Sequence, residues 1–180
     1  MPVSPRLAFV QCLSPSGLHR MAYHEWGDAQ NPRVLVCVHG LSRTGRDFDV
    51  LAQALCNDYR VICPDVVGRG RSDWLADPKG YVLSQYASDM VTLLARLNAE
   101  SVDWFGTSMG GLIGIGLAGL PKSPIRKLLL NDVGPRVTES SLTRIGAYLG
   151  LNVRFKTFDE GLAYLKTISA SFGPHTPEQW

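Results

Sequence analysis

An α/β fold with a mostly parallel sheet and helices on both faces is predicted from three observations. Strand-like and helix-like stretches alternate at the spacing of βαβ units. The run Val34–Val38, V-L-V-C-V, is apolar without alternation, as in a strand buried on both faces. Polar segments follow strand after strand, so that His39–Gly40, Asp65, Ser108 and Asp132 all fall at strand carboxyl ends, where the ligand crevice of such a sheet lies.

Leu7–Cys12 and Leu18–Trp26 read as two strands joined by a turn at Ser14–Gly17, an antiparallel entry to the sheet. After the loop Asp28–Pro32 comes Val34–Val38, ending in the polar loop His39–Gly45. Phe48, Leu51, Ala52 and Leu55 give Phe48–Cys56 a helical period. Tyr59–Cys63 is the next strand and opens into the long loop Pro64–Asp73. Ser84–Leu97 is an amphipathic helix with Ser84 as its expected N-cap. The strand at Val102–Phe105 and the apolar helix Gly111–Leu120 follow, then a strand at Ile125–Asn131. From Arg136 the pattern changes. Thr138–Leu149 and Phe158–Phe172 read as helices with no parallel-strand run between them. The expected division is 1–135 as the sheet core, through a sixth strand, and 136–180 as the start of a helical cap or lid.

The composition excludes several classes of function. Over 180 residues, 45% hydrophobic and 19% charged content is a globular profile. The formal net charge is +2, with Lys and Arg scattered, so no basic stripe points to nucleic acid. No apolar run approaches a membrane span, and the N-terminus lacks the pattern of a signal peptide. Cys12, Cys37, Cys56 and Cys63 are isolated and suit reduced, buried thiols, which makes a cytoplasmic location the default. Gly68–Arg69–Gly70 does not open a helix after a strand, so no dinucleotide site is expected; no metal and no cofactor are expected either.

The chemistry centres on Gly106–Thr107–Ser108–Met109–Gly110, a G-x-S-x-G between a strand and a helix. In that context the pattern sets a serine on a sharp turn, its hydroxyl projecting from the top of a sheet. Gly106 and Gly110 let strand and helix approach closely and tolerate the turn.

Four motifs together resemble the α/β-hydrolase superfamily: H-G-L-S at 39–42, D-V-V-G-R-G-R-S at 65–72, G-T-S-M-G at 106–110 and N-D-V-G-P at 131–135. Their order is similar to that of capped serine hydrolases acting on esters, lactones or activated C–C bonds. The serine at 108 sets the chain apart from branches that use an aspartate there. The resemblance implies that Ser108 is the nucleophile and that the backbone N–H groups of Leu41 and Met109 form the oxyanion hole. Gly40, Leu41 and Met109 would contact the substrate, a small molecule. His39 would brace the oxyanion loop rather than act as base. In this fold the triad runs Ser, acid, His along the chain. Asp132 is a candidate acid, its other reading being a turn residue of the D-V-G-P exit. Asp65 is read as bracing its loop. His175 satisfies the chain order but lies in G-P-H-T-P beside a lid helix, where a solvated or lid-bracing role is expected. The general base, and the acid where it is not Asp132, are expected beyond Trp180 together with the last strands. The alternatives are a catalytically incomplete or non-catalytic binding homologue, and a cofactor-free acyltransferase or perhydrolase. An incomplete sheet would expose an edge open to association.

Overall fold

The antiparallel entry forms as a hairpin of β1 (Arg6–Ser14) and β2 (Gly17–Trp26), in register from Arg6↔Glu25 to Ser14↔Gly17. The computed structural model describes residues 4–147 and 149–179. β3 (Val34–Val38), β4 (Arg60–Pro64), β5 (Val102–Thr107) and β6 (Ile125–Asn131) complete a six-stranded sheet of order β1-β2-β4-β3-β5-β6. β2 pairs antiparallel with β4; β4, β3, β5 and β6 run parallel. The sheet is therefore mostly parallel, as expected.

Helices cover both faces because side chains alternate along each strand. Val34, Val36, Val38, Ile62, Val102 and Trp104 face one core, packed on α2 (Leu83–Leu97) and α3 (Met109–Ala118). Cys37, Val61 and Cys63 face the other, packed with Phe48 and with Ala52 of α1 (Asp49–Leu55). All four cysteines are free and buried.

Several boundaries differ from expectation. A 3-10 turn at Gly45–Phe48 precedes α1, which is shorter than the periodicity implied. Ser84 is not the N-cap of α2. The helix starts at Leu83, with Val82 in the extended cap position and its carbonyl accepting from Tyr86 N–H at 3.1 Å. Asn98 ends the helix in the left-handed conformation, φ +54°. Residues Glu139–Trp180 form a second compact unit after Met1–Thr138. It holds α4 (Glu139–Gly146) and α5 (Phe158–Ile168), with short 3-10 turns at Ala170–Phe172 and Pro177–Gln179. Thr157 caps α5, its hydroxyl accepting from Glu160 N–H at 3.2 Å, and Asp159 lies in the first turn. Among the described residues no helix is long and apolar enough to cross a membrane.

Glycine at 110 is demanded by contact. A Cβ there would sit 2.0 Å from the Val38 carbonyl oxygen. Exposed Gly116, on the same helix, has nothing within 4 Å of its would-be Cβ. Gly110→Ala is expected to cost about 1–3 kcal/mol or more, and Gly116→Ala to gain about 0.5–1 kcal/mol. Urea denaturation midpoints of the two variants check this. Equal midpoints would contradict the packing argument.

Candidate functional site

The parallel strands set the site by where they stop. His39, Asp65, Ser108 and Asp132 are each the first residue after β3, β4, β5 and β6. Parallel pairing aligns those ends on one rim.

Ser108 is half-buried and holds φ +50°, ψ −113°, outside the regions ordinary for a non-glycine residue. Such a conformation costs on the order of 1–3 kcal/mol and persists only where neighbours over-determine it. Here its N–H donates to Asn131 O at 2.9 Å, and its carbonyl accepts from Gly111 N–H at 2.9 Å and Leu112 N–H at 3.1 Å. A Cβ on Gly106 would lie 2.4 Å from Gly110 O, so strand and helix meet backbone to backbone. Trp104 Nε1–H donates to the same Gly110 carbonyl at 3.0 Å.

The loop after β3 lies beside the serine. A Cβ built on Gly40 would stand 3.7 Å from Ser108 Cβ, an ordinary contact. A turn closed by Arg43 N–H to Gly40 O, at 3.2 Å, places Leu41 and Ser42 at its centre. Among the described residues, the backbone N–H groups of Leu41 and Met109 donate to no protein acceptor. Met109 opens α3, where the helix field favours negative charge. Gly40, Leu41, Ser108 and Met109 are thus brought together.

His39 is fully buried and spoken for at both ring nitrogens. Nδ1 lies 2.7 Å from Gly40 O, and Nε2 accepts from Val66 N–H at 3.0 Å. That pattern fixes the neutral Nδ1–H tautomer. In a trans peptide the carbonyl and the following N–H point opposite ways, so anchoring Gly40 O also orients the Leu41 N–H. Burial pushes the His39 pKa below its ordinary value, with the Gly40 hydrogen bond opposing only in part.

Asp65 is buried and braces the neighbouring loop. Its carboxylate accepts from Gly45 N–H at 2.7 Å and Arg71 N–H at 2.8 Å. Burial alone would raise its pKa. The His24 ring, in electrostatic contact at 3.6 Å, and the two N–H donors outweigh that and hold it below the usual range. Asp132 is exposed, with φ +54°, directly after the Asn131 that anchors Ser108. His175 lies in the Glu139–Trp180 unit, exposed, with Nδ1 2.9 Å from Gly173 O.

One feature escaped the sequence reading. Arg69 donates from Nε to Leu41 O at 3.0 Å, and its Nη2 lies 3.8 Å from Met109 Sδ. It thus touches both residues whose N–H groups are unpaired. The only signal was its place between the glycines of G-R-G-R-S.

A second cluster has metal-ligand chemistry. Cys12, His19 and Asp89 are buried with their ligand atoms within 4.8 Å of one another. His19 Nε2 is 2.9 Å from Asp89 Oδ2, however, and Gln85 Nε2 donates to Oδ1 at 2.7 Å. Burial, then the neighbouring Asp89, push the Cys12 thiol up to about 12. The group fits a hydrogen-bonded network fastening β1 and β2 to α2. Cys12 and His19 face each other in the hairpin register, so their proximity was implicit in the predicted hairpin. A surface cavity of about 470 Å³ beside Pro15 and Lys79 does not reach Ser108.

Residues 33–166 match the alpha/beta hydrolase fold family. The chain belongs to that family. This α/β-hydrolase is 79% identical over 180 residues to a 3-hydroxybutyrate-oligomer hydrolase of Cupriavidus necator, covering all of this chain and 61% of that relative. An esterase of Escherichia coli is 32% identical over 107 residues, 58% of this chain and 40% of its own. An α/β-hydrolase crystal structure from Novosphingobium aromaticivorans superposes with a TM-score of 0.82 at 37% identity, covering 92% of this chain and 57% of that one. The chain therefore spans about three-fifths or less of these relatives.

The protonation of His39 makes stability depend on pH. The folded chain holds the ring's pKa below 6.5 by burial, whereas the unfolded chain takes up a proton at that ordinary value. The unfolded state binds more protons below that pH, so stability is lost as pH falls beneath about 6.5, by up to about 1.4 kcal/mol per pH unit. Asp65, held low, adds a further loss below its ordinary 3.8. In NMR titration the His39 Cε1–H resonance is expected to reach its midpoint below pH 6.5. A midpoint at 6.5 would contradict the buried neutral ring.

Proposed function

We propose that this chain carries the nucleophile and oxyanion half of a serine hydrolase that cleaves carboxylic esters through an acyl-enzyme. The observation that carries the reading is the strained backbone of Ser108 beside two unpaired N–H groups, one on the loop after β3 and one at the start of α3. Ser108 Oγ adds to the ester carbonyl, and the oxygen that gains charge accepts from Leu41 and Met109 N–H. Each such donor is worth about 10²–10³ in rate. The C–O bond then breaks, the alkoxide leaves with the proton taken from Ser108, and water hydrolyses the acyl-serine.

The base is proposed to lie outside Met1–Thr138. His19 is paired with Asp89, His24 faces Asp65 and His39 is bonded at both nitrogens, so none of the three serves Ser108. The proposed acid is a carboxylate that orients that base, and Asp132 keeps its place as a candidate by its position on the rim. The proposed substrate class is short oligoesters of a hydroxyalkanoic acid, supported by 79% identity across the whole chain to the 3-hydroxybutyrate-oligomer hydrolase.

A fluorophosphonate probe is expected to label the complete protein at Ser108. Ser108→Ala should abolish labelling and lower release of monomer from 3-hydroxybutyrate oligomers by about 10⁴-fold or more, read by chromatography. Undiminished labelling or turnover in Ser108→Ala would rule the reading out. Ester binding with no turnover by the parent protein would instead favour a binding protein.

A further inference from the structure

We infer that Arg69 is a positioning residue for the Ser108 site, an inference that rests on the serine-hydrolase reading above. The central peptide of a four-residue turn makes no bond within the turn, and its flip interconverts turn types. In the turn Gly40–Arg43 that peptide joins Leu41 to Ser42, and Arg69 Nε–H holds its carbonyl at 3.0 Å. His39 holds the preceding carbonyl, that of Gly40, at 2.7 Å. Leu41 is therefore clamped on both sides, by an imidazole behind and a guanidinium ahead.

The guanidinium is itself held. Nη1 donates to Val67 O at 2.8 Å and to Tyr86 Oη at 3.1 Å. Its carbon stands 5.2 Å from the Tyr86 ring centroid and 5.8 Å from that of Tyr81. Nη2 rests against Met109 Sδ at 3.8 Å. A planar fork with fixed donor directions suits this use of three separate edges, and an ammonium lacks that geometry. Arg69 forms no ion pair among the described residues. Its bonds go instead to the loop after β3, the loop after β4 and α2, while it touches the first residue of α3. One side chain so ties together the two walls that carry the proposed oxyanion donors.

The test uses the complete protein and a short-chain hydroxyacid ester. Arg69→Met is expected to lower kcat about 10- to 100-fold, the scale of a small misplacement of reacting groups, with KM moved less than about threefold and melting temperature near the parent's. Arg69→Lys keeps the charge without the fork and should stay within about threefold of Arg69→Met. Tyr86→Phe keeps the ring and removes one anchor, and is expected to lower kcat by about threefold. It decides the matter where Arg69→Met fails to fold. Parent-like kcat in folded Arg69→Met, or in Tyr86→Phe where that variant decides, overturns the role, as does full activity in Arg69→Lys, which would leave charge alone as the contribution. An inactive Ser108→Ala beside a parent-like Arg69→Met would overturn only the role of Arg69. An active Ser108→Ala would overturn the hydrolase reading and this inference with it.

Discussion

The approach of α3 to the end of β3 governs the rest of the rim. Gly110 comes so near the Val38 carbonyl that any side chain would collide, and Gly106 meets Gly110 in the same way from β5. The chain must therefore turn from strand to helix within one residue, and that residue is Ser108. Its strain, on the order of 1–3 kcal/mol, is comparable to what the three backbone hydrogen bonds around it contribute at about 0.5–1.5 kcal/mol each. The same closeness brings Gly40, two residues beyond Val38, against Ser108. Packing and site geometry here are one constraint.

A second link holds what the first brings near. The His39 ring spans from the loop after β3 to the loop after β4, using a donor on one nitrogen and an acceptor on the other. Only a neutral imidazole offers both at that separation, and burial keeps it neutral. Asp65 does complementary work one strand over, fastening Gly45 and Arg71 by their N–H groups. The loops at the carboxyl ends are thus pinned by buried polar side chains, with Val66 and Val67 of the loop after β4 packed into the core as well.

Near-continuous burial makes Val34–Val38 legible, and Ile125–Asn131 also stands as predicted although it is partly exposed; the order of polar motifs puts His39, Asp65, Ser108 and Asp132 on one rim. Errors cluster where a local choice depends on distant partners. Ser84 has a good capping side chain, yet the chain leaving the Pro78–Gly80 turn is already extended at Val82, and the helix starts there. The turn at Gly45–Phe48 tightens because Gly45 is pressed on the Cys63 carbonyl, 2.5 Å from its would-be Cβ, a contact no local periodicity encodes. Arg69 was passed over for the same reason. Its partners lie 2, 17, 28 and 40 residues away, and a glycine-flanked arginine in a loop has no periodic signature.

The arrangement also separates two tasks that a serine hydrolase must perform. Stabilising the oxyanion needs fixed dipoles, and on the proposed reading those are the Leu41 and Met109 N–H groups, set by backbone close-packing and by the His39 and Arg69 clamps. Moving the proton needs a base within about 3 Å of Ser108, and the three histidines of Met1–Thr138 are already engaged in holding the scaffold. On the proposed reading, the pH dependence of turnover therefore belongs to a group outside this unit. The buried neutral His39 sets only the pH dependence of the platform. Mutations of the clamps on Leu41 would then change the height of an activity profile without moving its midpoint, because the residues that shape the charge site are not those that titrate in the reaction.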